Sequence, residues 1–292
     1  MTEKITVPDE REGTPALEDL AERRKMISAA VEAGLMPSPE RPVAEEIIGG
    51  VRTLTVSPEG KAPRGYMVML HGGGYRIGRP ENDTRFAEML ADRCNIEVVL
   101  PAYRLAPENP FPSGFNDAWS ILNAVASRIG NAPLMVGGDS AGGGLAAALG
   151  VYAGSQGSPR IAAALLLSPF VDLTITAASF QENAETDQLF PKASAKDASE
   201  LYLQGFDPRH PLASPLFAQL SSFPPTFINV GTGEALRDDS ISFHEKLEKA
   251  GVPSQLQAID DMEHVAVVRN MGLIGSAESL EAIVAFINGV TA

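Results

Sequence analysis

Gly138-Asp139-Ser140-Ala141-Gly142 has the form G-x-S-x-G. It lies between an apolar run, Pro133-Leu134-Met135-Val136-Gly137, and a run of small residues, Gly143-Gly144-Leu145-Ala146-Ala147-Ala148. The reading is strand, sharp turn, helix, the setting that holds a serine at the top of a sheet. Small residues are required because the turn brings the strand and helix backbones close together. The helix that follows points its amide N–H groups and its positive end toward an oxygen reacting there. The stretch therefore predicts an α/β chain in which Ser140 acts as a nucleophile.

Outward from the turn, strands and helices alternate. Strands are predicted near 51–56, 66–70, 96–100, 161–167, 226–230 and 254–259, besides the one leading to Ser140. Helices are predicted over about 16–35 (Leu17, Leu20, Ile27, Val31 and Leu35 at helical spacing), 82–93, 114–128, the small-residue segment after Ser140, Asp238–Ser240 to Gly251, and 277–288. Alternation of this kind implies a mostly parallel sheet covered on both faces. Residues 172–225 break the rhythm with polar residues, prolines and short apolar clusters. A stretch this long inside an α/β alternation reads as an inserted lid.

The chain has 292 residues, 44% of them hydrophobic, enough to bury a substantial core. A net charge of −14 argues against nucleic acid and anionic membrane surfaces as partners. Cys94 is the only cysteine, so no disulfide can form within the chain, and it reads as a buried structural thiol. The N-terminal residues show no apolar core of a secretory signal, and no run approaches the ~18 apolar residues of a membrane span. A cytoplasmic location is the expectation. No metal or organic cofactor is called for, since no Cys/His cluster has zinc-like spacing.

A second motif, His71-Gly72-Gly73-Gly74-Tyr75, follows the strand ending at Leu70. Glycines directly after a strand can present backbone N–H groups to an anion. Downstream come Tyr103-Arg104-Leu105-Ala106-Pro107-Glu108, the serine turn, and Asp207-Pro208-Arg209-His210-Pro211-Leu212-Ala213-Ser214-Pro215. In this order, over about residues 65–270, the chain resembles the hormone-sensitive-lipase-like esterases of the α/β-hydrolase superfamily. Val230-Gly231-Thr232-Gly233-Glu234-Ala235-Leu236-Arg237-Asp238-Asp239-Ser240 is most similar to the bacterial branch with acetyl-ester and lactone hydrolases. The resemblance implies an α/β-hydrolase fold of one domain, 1–292. Its sheet of about eight strands would lie under a helical cap built from about 1–45 and 172–225. A homodimer is plausible by the same resemblance.

The resemblance also orders the triad as nucleophile, acid, histidine. His210, His244 and His264 lie downstream of Ser140. His244 sits among charges in a helix and reads as a solvated face. His210 sits in a proline-rich segment, where a structural hydrogen bond is the simpler role. His264 follows the last strand and is taken as the base, while His71 orients the glycine loop.

The family's Asp-x-Leu pattern falls on Glu234-Ala235-Leu236, making Glu234 the acid, with Asp238 as alternative. Asp238 and Asp239 also read as charges at the start of a helix. Asp260, Asp261 and Glu263 read as a charged loop. The oxyanion hole implied by the resemblance is the backbone N–H of Gly73, Gly74 and Ala141.

Tyr75, Phe190, Leu201, Tyr202, Met262 and Val265 could line a substrate pocket or be ordinary core. The expected activity is a serine carboxylesterase acting on short- to medium-chain esters as its small-molecule partner. The alternatives are a lactone hydrolase, an amidase or peptidase, or a non-catalytic binding protein. The last has precedent in the plant gibberellin receptors, which resemble this family but lack the histidine.

Overall fold

The computed structural model describes residues 17–34 and 36–292. The parts of the expected first helix and N-terminal cap element at 1–16 and 35 lie outside the described residues. In chain order the strands are β1 (Ala44–Ile48), β2 (Val51–Val56), β3 (Tyr66–Leu70), β4 (Glu97–Pro101), β5 (Leu134–Asp139), β6 (Ala163–Leu167), β7 (Thr226–Gly231) and β8 (Ser254–Ile259). The helices are α1 (Leu17–Glu32), α2 (Thr84–Cys94), α3 (Ser113–Arg128), α4 (Ala141–Gln156), α5 (Ser179–Glu182), α6 (Lys192–Leu203), α7 (Arg237–Lys249), α8 (Ala266–Arg269) and α9 (Ser276–Val290).

The eight strands form one sheet in the order β1-β2-β4-β3-β5-β6-β7-β8. The β1–β2 and β2–β4 pairs are antiparallel and the rest are parallel. The direction of winding reverses around β3, which has β4 on one side and β5 on the other. Open α/β sheets bind ligands at such a reversal, beyond the carboxyl ends of the strands. Leu70 at the end of β3 pairs with Gly138 in β5, so the His71 loop and the Ser140 turn leave the sheet side by side.

Alternation along β3 divides the interior. Val68 and Leu70 join the core under α3 and α4, whereas Met67 and Met69 join the opposite core with Phe86 and Leu90 of α2 and Ile283 and Ile287 of α9. Cys94 is buried in the second core, where burial pushes its thiol up to about 11. The first ten residues of α4 are all buried, as expected of a helix without a polar face.

One feature went beyond the sequence reading. The strand β1, Ala-Glu-Glu-Ile-Ile, buries only Ile48 and so carries no alternating apolar signal. It is held by a two-residue turn at Gly49 and Gly50, both at positive φ. The 172–225 excursion contains α5, α6 and a short 3-10 turn at Pro215–Phe217. It packs over the carboxyl ends of the strands. Tyr202 of α6 stacks on Tyr75 with centroids 4.0 Å apart, and Asp197 pairs with Arg76 in a buried ion pair. From the other side, Arg24 of α1 donates to the carbonyls of Arg76 (2.7 Å) and Ala106 (2.6 Å). Both segments thus grip the chain that follows the glycine run.

Candidate active site

Ser140 occupies the turn between β5 and α4 at φ +52°, a region that a residue with a Cβ enters only under strain. The surroundings fix it there. Its N–H donates to Leu167 O (2.8 Å), and its carbonyl accepts from Phe170 N (2.9 Å) and Gly144 N (3.1 Å). Gly142 passes so close to β3 that a Cβ would collide with the Leu70 carbonyl. The small residues around the serine are thus a packing requirement of the turn.

His264 follows β8. Its Nε2 lies 3.1 Å from Ser140 Oγ, and its Nδ1 lies 2.6 Å from Glu234 Oε2. Serine, histidine and glutamate are all at most 8% exposed. An ionised carboxylate beside Nδ1 places the ring proton there, leaving Nε2 to accept from the serine hydroxyl. Burial opposes a charged imidazole. The hydrogen bond and charge of Glu234, aided by Asp187 and Asp139, outweigh it and hold His264 above its ordinary value. The Phe190 ring lies parallel to the imidazole at 5.8 Å and covers one face.

Glu234 is itself anchored. Its Oε1 accepts from Gly231 N (2.5 Å) and Ser168 Oγ (2.9 Å), and Asn183 Nδ2 donates to its carbonyl (2.7 Å). Neither Ser168 nor Asn183 had a sequence signal beyond the end of a strand and a place in the excursion.

The other carboxylates considered lie elsewhere. Asp238 accepts from Ser179 N (2.9 Å) and Arg237 Nε (2.8 Å). Asp239 is buried and accepts from Val171 N and Asp172 N. Both are in the first turn of α7, but their carboxylates hold the chain entering the cap rather than capping their own helix. Asp260 accepts from Thr232, and Glu263 pairs with Arg269.

His210 accepts from Leu212 N and packs against Phe111 and Phe206. His244 is half-buried and hydrogen-bonds Ser254 Oγ (2.8 Å), which corrects the expectation of a solvated face. The fit of its ring against β8 could not be read from a charged helix segment.

Asp187 was missed by the sequence reading. It lies in the cap segment before Phe190, and Asp187, Glu234 and His264 have ligand atoms within 4.8 Å of one another. Such a set could in principle hold a metal ion. Each of these atoms already has a partner, however. Asp187 accepts from Leu189 N, Phe190 N and Ala235 N, and Glu234 and His264 hold each other. The chemistry of the set is that of a braced carboxylate–imidazole pair.

On the glycine run, His71 is buried and stacks on Tyr103 at 4.3 Å. Burial pushes it down to about 4, against the pull of its hydrogen bond to Gly72 O, so it is neutral at pH 7. Gly73 has φ +116°, and a Cβ there would collide with the Ile77 carbonyl. Gly74 has φ +60°. Ala141 begins α4, whose first amides have no acceptor within the helix. These N–H groups and Ser140 stand at the same edge of the sheet.

A cavity of about 710 Å³ opens beside the serine turn, lined by Gly72, Gly73, Asp139, Val265 and Ile27 among others. Of the six side chains weighed as pocket walls, Val265 lines it and Phe190 meets the His264 ring. Tyr75 packs in the core with Leu201 and Tyr202 of α6, and Met262 packs with Ile259 and Ala266.

Residues 67–268 match a family described as having the alpha/beta hydrolase fold. An acetyl-hydrolase of Streptomyces hygroscopicus is 36% identical over 201 residues, covering 68% of this chain and 67% of that protein. The crystal structure of a hormone-sensitive lipase from a metagenome library superposes with a TM-score of 0.89 at 33% identity, over 97% of this chain and 94% of that one. A crystal of the protein EstE5 soaked with p-nitrophenyl butyrate superposes with a TM-score of 0.87 at 32% identity, over 98% and 94%.

Proposed function

The chain belongs to the α/β-hydrolase family, in its hormone-sensitive-lipase-like esterase branch, and on that premise we propose that it is a serine carboxylesterase for short- to medium-chain esters. The observation that carries the reading is the buried relay from Ser140 Oγ through His264 to Glu234, with spacings of 3.1 and 2.6 Å. A serine hydroxyl is a weak nucleophile until a base accepts its proton. His264 Nε2 is within reach to do so, and Glu234 stabilises the imidazolium that forms.

Ser140 attacks the ester carbonyl, and the carbonyl oxygen takes on negative charge. The N–H groups of Gly73, Gly74 and Ala141 meet that charge, each such donor being typically worth ~3–4 kcal/mol in the transition state. His264 then protonates the leaving alcohol. Water, activated by the same imidazole, attacks the acyl-serine and releases the acid. Short acyl chains are favoured by the name of the similar acetyl-hydrolase and by the p-nitrophenyl butyrate soaked into the EstE5 crystal.

The test is the initial rate on p-nitrophenyl esters of increasing acyl length, wild type beside Ser140→Ala. The expected result is a short-chain optimum and a loss of ~10⁴–10⁶ in kcat for the variant. Equal rates for the two proteins would refute the reading.

A further inference from the structure

Three side-chain oxygens on residues lining the cavity beside Ser140 are buried without a hydrogen-bond partner: Asn82 Oδ1, Asp83 Oδ2 and Asp139 Oδ1. Buried polar oxygens in folded proteins are nearly always paired, so three orphans on residues that line one cavity point to a ligand group. Asp83 is 2% exposed and Asp139 6%. They come from different places in the fold. Asp83 ends the 3-10 turn (Pro80–Asp83) before α2, and Asp139 ends β5 directly before Ser140. The Oδ2 of Asp139 lies against Gly72, where a Cβ would strike it, which leaves Oδ1 as its unpartnered atom.

The side of the ester is set by His264. The imidazole hands its proton to the leaving oxygen, and Val265, Val268 and Arg269, which follow His264, line this same cavity. The alcohol portion of the ester therefore faces it. We propose that Asp83, Asp139 and Asn82 form a polar subsite for a hydroxyl group on the alcohol portion, so that esters of hydroxylated alcohols are the preferred substrates. This deepens the esterase reading above and rests on it.

The protonation of the two acids favours a hydroxyl over a cation. Burial, and then the charge of Asp139, hold the Asp83 carboxyl well above its ordinary range. Burial lifts Asp139 to about 6, against the opposing pull of His264 and of the Gly72 backbone. Both shifts favour the protonated form of a carboxyl, and a single proton on the pair leaves one donor and one acceptor. The pair donates one hydrogen bond and accepts another, as a hydroxyl does.

The test compares kcat/KM for 2-hydroxyethyl butyrate and propyl butyrate, which differ by a hydroxyl in place of a methyl and give the same butyryl-enzyme. Hydrogen bonds to charged groups predict a preference for the hydroxylated ester of roughly tenfold to a hundredfold. Asp83→Leu should abolish the preference, and Asp83→Asn, which keeps a donor, an acceptor and the shape, should retain part of it. Should Asp83→Leu fail to fold, the wild-type ratio and Asp83→Asn decide. Equal rates, or a preference for propyl butyrate, would overturn the subsite while leaving the esterase reading intact. A preference for butyrylcholine over both esters would overturn it in favour of a cation. A preference for ethyl 3-hydroxybutyrate over ethyl 3-methylbutyrate, with none on the alcohol side, would overturn its placement. No turnover of any ester would refute the esterase reading itself.

Discussion

Replacing Glu234 by Gln probes how the relay works, because it keeps the shape and removes the charge. The carboxylate is 1% exposed, and its two oxygens serve three donors: Gly231 N at 2.5 Å, Ser168 Oγ at 2.9 Å and His264 Nδ1 at 2.6 Å. A Gln oxygen can still accept from Gly231 and Ser168. Its NH₂ then faces His264, a donor that demands an acceptor at Nδ1. That forces the ring proton to Nε2, where it can no longer accept from Ser140. Breaking a buried charged pair costs about 3–5 kcal/mol. At 1.36 kcal/mol per tenfold, that is ~10²–10⁴ in kcat. The assay is p-nitrophenyl butyrate hydrolysis at pH 8, with circular dichroism to confirm folding. A folded Glu234→Gln enzyme with near-wild-type kcat would refute the assignment of the acid. Asp238→Asn, whose carboxylate serves Ser179 and Arg237, should lose less than about tenfold under the same conditions, in line with surface-type changes.

The pH profile follows from the same pair. Neutral His264 is the base, and Glu234 holds its protonated form above the ordinary imidazole value of about 6.5. The acid limb of kcat/KM should therefore lie above that value, rising with pH, and should move to lower pH in Glu234→Gln; a limb that stays or moves upward would contradict this. Gly142→Ala places a methyl against the Leu70 carbonyl, so a loss of at least ~2 kcal/mol in denaturant stability or of soluble expression is expected. Cys94 is buried with its thiol pushed up to about 11, so Ellman's reagent should titrate it only in denatured protein. Reaction within minutes in the native state would place it at the surface.

The elbow was legible because its chemistry and its packing demand the same residues. Gly142 is needed by the Leu70 carbonyl, and the alanine run in α4 is needed by a helix buried on all sides. The parallel strands were legible because burial on both faces gives continuous apolar runs, as in Ala163–Leu167. The edge strand β1 escaped notice because four of its five residues are exposed and its pairing rests on Gly49 and Gly50. In the acid segment the pattern singled out Glu234, but only the structure shows that Asp238 and Asp239 are engaged with the chain entering the cap. Asp187 and Ser168 act through contacts between distant segments, and such contacts leave no periodic trace. The 172–225 segment drew attention by its length and by its polar, proline-rich composition. Its grip on the glycine loop, through Tyr202 on Tyr75 and Asp197 on Arg76, depends on a fold that brings residues over a hundred positions apart together.

The central claim is that Ser140 carries the acyl group. Its most direct test is covalent capture with diethyl p-nitrophenyl phosphate, read by release of p-nitrophenol and by mass spectrometry of the digested protein. The expected result is one equivalent of p-nitrophenol per chain and a diethyl phosphate adduct on Ser140, absent in Ser140→Ala. An adduct on another residue in an enzyme that remains inhibited, or full esterase activity in protein quantitatively modified at Ser140, would contradict the account.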